Sequence, residues 1–194
     1  MLFDPTRTAL VLVDVQCAFL EWEASGRRRN NRDAVGHMIA LLAAFRLARL
    51  PVYHVRHASV EPGSALRPEA SGFAPIAGVE SLDGEPVITK NVNSAFIGTD
   101  LEEQLRVAGT TTLVIAGITT NHCVETTTRM AGNLGFDTCL VEDACYTFDR
   151  TGYDGALERA EDIHAMTLSN LNGEFATIET TNALLQVLNQ ASAA

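Results

Sequence analysis

Residues 112–123 read TLVIAGITTNHC. The run TLVIA, Thr112 to Ala116, is apolar without alternation, as expected of a short strand buried on both faces of a parallel sheet. Gly117 permits a tight backbone, and the spacing predicts a helix starting around Asn121 or His122. Cys123 therefore stands just beyond a strand and at the start of a helix.

The same unit recurs on both sides. Upstream, ALVLV (Ala9 to Val13) ends directly at Asp14. Ala34 to Leu50 has apolar residues at helical spacing. Pro51 stops that helix, and PVYHV begins a second strand. Pro86 to Thr89 is a short strand ending at Lys90, and Leu101 to Ala108 reads as a helix with Asp100 near its start. Downstream, Gly135 ends the helix carrying Cys123 and FDTCLV opens the next strand. Glu158 to Ser169 is helical, Phe175 to Ile178 is a last strand and Asn182 to Leu188 a closing helix. This alternation predicts an α/β protein, a three-layer α/β/α Rossmann-like fold with a mostly parallel sheet of about six strands. Ser59 to Gly84, rich in Pro, Gly, Ser and Ala, reads as a long excursion that walls a pocket. There is no repeat or linker, so residues 1–194 read as a single domain.

Composition narrows the function. The 24 acidic and 14 basic residues give a net charge of -10, which disfavours nucleic acid as a partner. Arg27, Arg28 and Arg29 form the one basic cluster, read either as a solvated loop or as an attractor for an anionic substrate or partner. No apolar stretch is long enough for a bilayer. Asp4 stands where a signal peptide needs basic residues, so the expectation is a cytoplasmic protein with no membrane partner. Cys17, Cys123, Cys139 and Cys145 lack metal-site and CxxC spacing.

Asp14, Lys90 and Cys123 each follow a strand, and open parallel sheets gather such positions in one crevice. A thiol near its ordinary pKa is little ionised at neutral pH. A helix N-terminus and an ammonium favour the thiolate, while a carboxylate can take the thiol proton and pass it to a leaving amine. Residue chemistry alone leaves a Cys–His pair with His122, His54 or His57 open.

Five segments resemble one family: LVLVDVQCAF, ITKNVNSAFIGTDLEEQL, VIAGITTNHCVETTTRMAGNLGF, VEDACYTF and HAMTLSNLNGEFATI. The chain is similar along nearly its whole length to the isochorismatase-like cysteine hydrolases, which include nicotinamidases, N-carbamoylsarcosine amidases and ureidoacrylate or biuret amidohydrolases. The resemblance implies Cys123 as nucleophile, Asp14 as general base and acid, and Lys90 as third member. It also implies a non-proline cis bond between Ile118 and Thr119, with the Thr119 and Cys123 amides forming an oxyanion hole. The implied reaction is hydrolysis of a small amide, ureido or carbamoyl compound through a thioester. Lactam hydrolysis, nicotinamidase-like deamidation and a non-catalytic binding protein stay open beside it, as does a thiol redox protein using Cys17 or Cys145. Isochorismate hydrolysis belongs to relatives without the nucleophile.

Nicotinamidases carry an Asp-x-His metal pattern. Here VYHVRH lacks it, and His54 and His57 read as unconnected, so the expectation is no metal and no cofactor. Phe19, Trp22, Phe96, Tyr146 and Phe148 are candidate pocket walls, and Asn93 and Asn121 candidate polar contacts. The resemblance implies a homodimer or homotetramer.

Overall fold

The computed structural model of the protein describes residues 5–191; Asp4 lies outside them. Six strands form one sheet: β1 (Thr8–Val13), β2 (Val52–His57), β3 (Val87–Lys90), β4 (Thr112–Ile118), β5 (Asp137–Tyr146) and β8 (Thr177–Glu179). Their order is β3-β2-β1-β4-β5-β8 and every neighbouring pair is parallel. Two-residue strands β6 (Arg150–Thr151) and β7 (Leu157–Glu158) form a separate antiparallel pair. The helices are α1 (Ala18–Ala24), α2 (Ala34–Leu47), α3 (Leu101–Val107), α4 (Glu125–Asn133), α5 (Ala160–Leu171) and α6 (Thr181–Ala191).

β1 explains the three layers. Its side chains alternate between faces, and all six residues are buried. Leu10 and Leu12 pack with Met38, Leu41, Leu42 and Phe45 of α2 and with Leu184 and Leu188 of α6. Ala9, Val11 and Val13 pack with α3, α4 and α5 through Leu101, Leu105, Ala131 and Leu171. A strand covered on both faces needs an apolar residue at every position, and ALVLV meets that need. Truncating Leu12 to Ala would cost about 2–5 kcal/mol.

The chain lays β2 and β3 on one side of β1, then returns to place β4 on the other. That reversal opens a crevice beyond the carboxyl ends of β1 and β4. Gly117 lets these two strands approach closely. Its φ is +144°, and a Cβ there would overlap the Val13 carbonyl.

Several boundaries differ from expectation for local reasons. α2 ends at Leu47 rather than Leu50, because Arg49 is left-handed (φ 55°) and the Leu50 amide closes back on the Phe45 carbonyl at 2.9 Å. β5 runs on to Tyr146 through a bulge, where Ile115 faces Leu140 but Gly117 faces Cys145. α1 and the β6–β7 pair are too short to leave a periodic signal. Ser59 to Gly84 is the expected excursion, with one 3₁₀ turn at Ser71–Phe73. Among the described residues, no helix is long and apolar enough to cross a membrane.

Candidate active site

Four adjacent strands each deliver a polar side chain to the crevice. In sheet order these are Lys90 at the end of β3, His57 at the end of β2, Asp14 just past β1 and Cys123 beyond β4. Lys90 Nζ donates to Asp14 Oδ2 at 2.7 Å and to His57 Nδ1 at 3.2 Å. The Lys90 and Asp14 side chains are 0% and 1% exposed, so their charges face each other without water. Asp14 turns out of β1 with φ 52°, its amide held by the Val55 carbonyl at 2.9 Å. Buried Gln16 fixes the neighbouring strand end. Its Oε1 accepts the His57 amide (2.8 Å) and its Nε2 donates to the His57 carbonyl (3.2 Å).

One oxygen of Asp14 is left over. Oδ1 is buried and has no partner in hydrogen-bond geometry. One carboxylate oxygen of Asp14, a ring nitrogen of His57 and the Cys123 sulfur lie within 4.8 Å of one another, so the carboxylate stands beside the thiol. Burial pushes the Asp14 carboxyl above its ordinary pKa; Lys90, the Cys123 thiol and His57 only partly offset this. Burial, and next the Asp14 charge, push the Cys123 thiol up to about 12 against the opposing pull of Lys90. A group so placed rests as a thiol, in line with the reading in which a carboxylate takes its proton. Burial and the Lys90 ammonium also lower the His57 pKa, so its ring is neutral and free to accept from Lys90.

The Asp14, His57 and Cys123 spacing is one a metal ion could use. The Lys90 ammonium already donates to two of the three groups, so a cation placed among them would meet a like charge. The donor set does not suit a metal.

Beyond β4 the Ile118–Thr119 peptide is cis. The Thr119 carbonyl then accepts from the amides of His122 (3.2 Å) and Val124 (3.4 Å), the two residues that bracket Cys123. This wide turn, Thr120–Val124, leads into α4. Such turns recur at functional sites.

The crevice widens into a cavity of about 500 Å³ lined by Asp14, His57, Thr119 and Cys123 at its base. Phe19, Trp22, Asn93, Asn121 and Phe148 also line it. Phe96 and Tyr146 do not. Phe96 stacks on Phe136 at 6.1 Å, and Tyr146 is fully buried with the Arg29 guanidinium 4.4 Å from its ring centre. Asn121 Oδ1 accepts from Thr147 Oγ1 at 2.6 Å, which ties the wall together.

Sequence reasoning did not single out Arg150 as a lining residue; it raised Arg27 only within the basic cluster and His57 only as one of three histidines that could pair with the cysteine. The two histidines are unconnected, as read from the sequence: His57 faces the crevice, while His54 bonds Glu85 at 2.8 Å away from it. A signal was available: His57, like Asp14 and Lys90, closes a strand. The basic run divides. Arg27 lines the cavity, Arg28 forms exposed ion pairs and Arg29 is buried against Glu23 at 2.8 Å. All four cysteines are free.

Comparison with known proteins agrees with this geometry. Residues 8–180 match the family model described as Isochorismatase domain. YrdC of Bacillus subtilis strain 168, described as an uncharacterized isochorismatase family protein, is 44% identical over 179 residues, covering 92% of this chain and 95% of YrdC. A crystal structure from Chromobacterium violaceum, assigned to the isochorismatase family, superposes with TM-score 0.92 at 43% identity, covering 98% of this chain and 97% of that one. A cysteine hydrolase from Pseudomonas syringae pv. phaseolicola 1448A superposes with TM-score 0.88 at 25% identity, over 97% of this chain and 95% of that one.

Proposed function

The chain belongs to the isochorismatase family and is a cysteine hydrolase acting on small amide carbon–nitrogen bonds, and we propose that it works through a thioester on Cys123. The observation that carries this reading is the division of labour in one carboxylate. Asp14 Oδ2 is held by Lys90, Oδ1 is buried and unpartnered, and the carboxylate stands beside the Cys123 thiol.

In the proposed sequence, Asp14 Oδ1 takes the Cys123 proton as sulfur attacks the carbonyl carbon. Oxygen charge in the tetrahedral intermediate falls to the backbone N–H groups of Thr119 and Cys123. Asp14 returns the proton to the leaving nitrogen, the C–N bond breaks and an amine or ammonia departs. Water, deprotonated by Asp14, then attacks the thioester; the C–S bond breaks, the acid leaves, and Asp14 returns the proton to the Cys123 sulfur. Lys90 keeps Asp14 oriented, and its charge stabilises the anionic sulfur. His57 accepts a second Lys90 N–H and steadies the ammonium. Linear amides, ureides and carbamoyl compounds form the substrate class.

The test joins labelling to turnover. Iodoacetamide should modify Cys123 and stop release of ammonia or amine from a panel of small amides and ureas in step. Full turnover after complete labelling of Cys123 would overturn the reading. We further propose that residues 1–194 act as one domain, in the cytoplasm, as a homodimer or homotetramer and without a metal. Light scattering across a concentration series tests assembly. Activity surviving exhaustive chelation is the expected result for the metal.

A further inference from the structure

The charges around the cavity are unevenly settled. The chain carries a net -10, and most of its arginines near the mouth are matched. Arg28 pairs with Asp149 (2.9 Å) and Glu161 (2.6 Å), and Arg159 with Asp149 (3.0 Å). Asp149 lines the cavity, yet its carboxylate is taken up by those two guanidinium groups and the Ala160 amide at 2.8 Å. Asp14 is answered by Lys90. Arg27 and Arg150 also line the cavity, and among the described residues no carboxylate lies at ion-pair distance from either.

The backbone sets these two arginines together. The Asp149 amide donates to the Arg28 carbonyl (2.9 Å) and the Asn30 amide to the Thr147 carbonyl (3.2 Å), making an antiparallel bridge of Arg29 with Phe148. Arg27 precedes Arg28 and Arg150 follows Asp149, the two residues joined by an ion pair at 2.9 Å, and both Arg27 and Arg150 line the cavity with Phe148. Each guanidinium is held from behind. Arg27 lies 4.7 Å from the centre of the Trp22 ring, and Arg150 Nη1 donates to His122 Nε2 at 3.2 Å. The apolar wall beside them is a ring cluster, with Trp22 4.9 Å from Phe19 and 5.8 Å from Phe148.

We propose that Arg27 and Arg150 form a carboxylate subsite, so that the substrate is a small amide or ureide bearing a carboxylate next to an apolar group. A planar carboxylate matches the guanidinium fork and would supply the counter-charge that neither cation has. The substrate class rests on the hydrolase reading; the subsite does not.

Trp22 is the chain's one tryptophan, so its fluorescence reports on this wall directly. The experiment titrates the Cys123→Ala protein with 3-phenylpropionate and with 3-phenylpropan-1-ol, its uncharged counterpart. The carboxylate should bind at least about tenfold more tightly, the scale of one charge-assisted hydrogen bond at a partly solvated site. That preference should weaken with added salt and fall about tenfold in a background of Arg27→Gln with Arg150→Gln. Equal affinity for the two probes, or a preference that survives the double substitution, would overturn the subsite. Turnover judges the other reading separately. Carboxylate-selective binding with no amide or ureide hydrolysed by the unsubstituted protein upholds the subsite and removes the hydrolase mechanism. Hydrolysis with no such selectivity does the reverse.

Discussion

Two clusters at opposite ends of β2 and β3 are built from the same three ingredients, a carboxylate, a cation and a histidine, and differ in how the carboxylate is held. Beyond the carboxyl ends of the strands, Asp14 meets Lys90 and His57. Near the amino end of β3, Glu85 meets Arg46 and His54. Glu85 is fully engaged: Arg46 grips both oxygens at 2.7 Å, His54 lies at 2.8 Å and the Leu82 amide donates at 2.9 Å. Burial pushes Glu85 up, but these bonds more than offset it and hold its pKa at about 2. Asp14 has one oxygen engaged and one bare, and its pKa goes up. A carboxylate with both oxygens answered is a clamp. One left half-answered in a buried crevice keeps an oxygen without a donor. The difference lies in the depth of burial and the count of donors, not in residue type.

The largest expected effect separates the two carboxylates by activity. Cys123→Ala should abolish turnover, and Asp14→Asn should lower kcat/KM by at least about 100-fold, the usual scale of general acid–base catalysis. Neither should unfold the protein, as circular dichroism would verify. Glu85→Gln should leave kcat/KM within about threefold, because it touches no reacting atom. A loss in Glu85→Gln matching that in Asp14→Asn would erase the distinction.

Stability should show the mirror image. Glu85→Ala strands the Arg46 guanidinium and His54 ring and should cost about 2 kcal/mol in urea denaturation, below the range for fully buried pairs because Arg46 is 25% exposed. Asp14→Asn should cost less than Glu85→Ala, since it removes a carboxylate that burial disfavours.

The two groups should also couple to pH with opposite sign. Glu85 is depressed from 4.5 to about 2. Its contribution is present above pH 4.5 and is lost as pH falls from there towards 2, by at most about 3 kcal/mol. Asp14 is raised above 3.8. Its contribution is present below pH 3.8 and is lost as pH rises through the folded value. Unfolding free energies of the parent, Glu85→Gln and Asp14→Asn proteins across pH 2–7 would expose the two slopes. The same raised Asp14 value places the acid limb of kcat/KM above pH 3.8, and Glu85→Gln should not move it. Parallel slopes would contradict the comparison.

The smallest effect concerns His57. His57→Ala removes one neutral acceptor from Lys90 and should lower kcat/KM about fivefold, the worth of an ordinary hydrogen bond. It should also shift the acid limb, because Lys90 is then held to Asp14 alone. His54→Ala should leave that limb in place.

Much of this was legible before any coordinates. ALVLV and TLVIA announce strands buried on both faces, and the residues closing strands near the chain reversal can meet in only one crevice. Asp14, Lys90 and Cys123 were therefore readable by position and by resemblance. His57 was legible only as one of three histidines that could pair with the cysteine, because two histidines three apart on a strand look alike until the pleat and the neighbours of each are known. Phe96 and Tyr146 looked like Phe19 and Phe148 for the same reason: an aromatic residue near a strand end announces burial, not what it is buried against. The β6–β7 pair and α1 carry too few residues for periodicity to show.

Sequence alone settled the layer architecture, since hydrophobic burial is set by which residues are apolar and at what period. It also settled which chemical groups stand at the strand ends. What only the tertiary structure decided is how many partners each of those groups has. The bare oxygen of Asp14, the satisfied carboxylate of Glu85 and the two unmatched arginines at the cavity follow from distances between segments far apart in the chain. A hydrogen bond or ion pair depends on separations of a few ångströms, and no local pattern of residues encodes those.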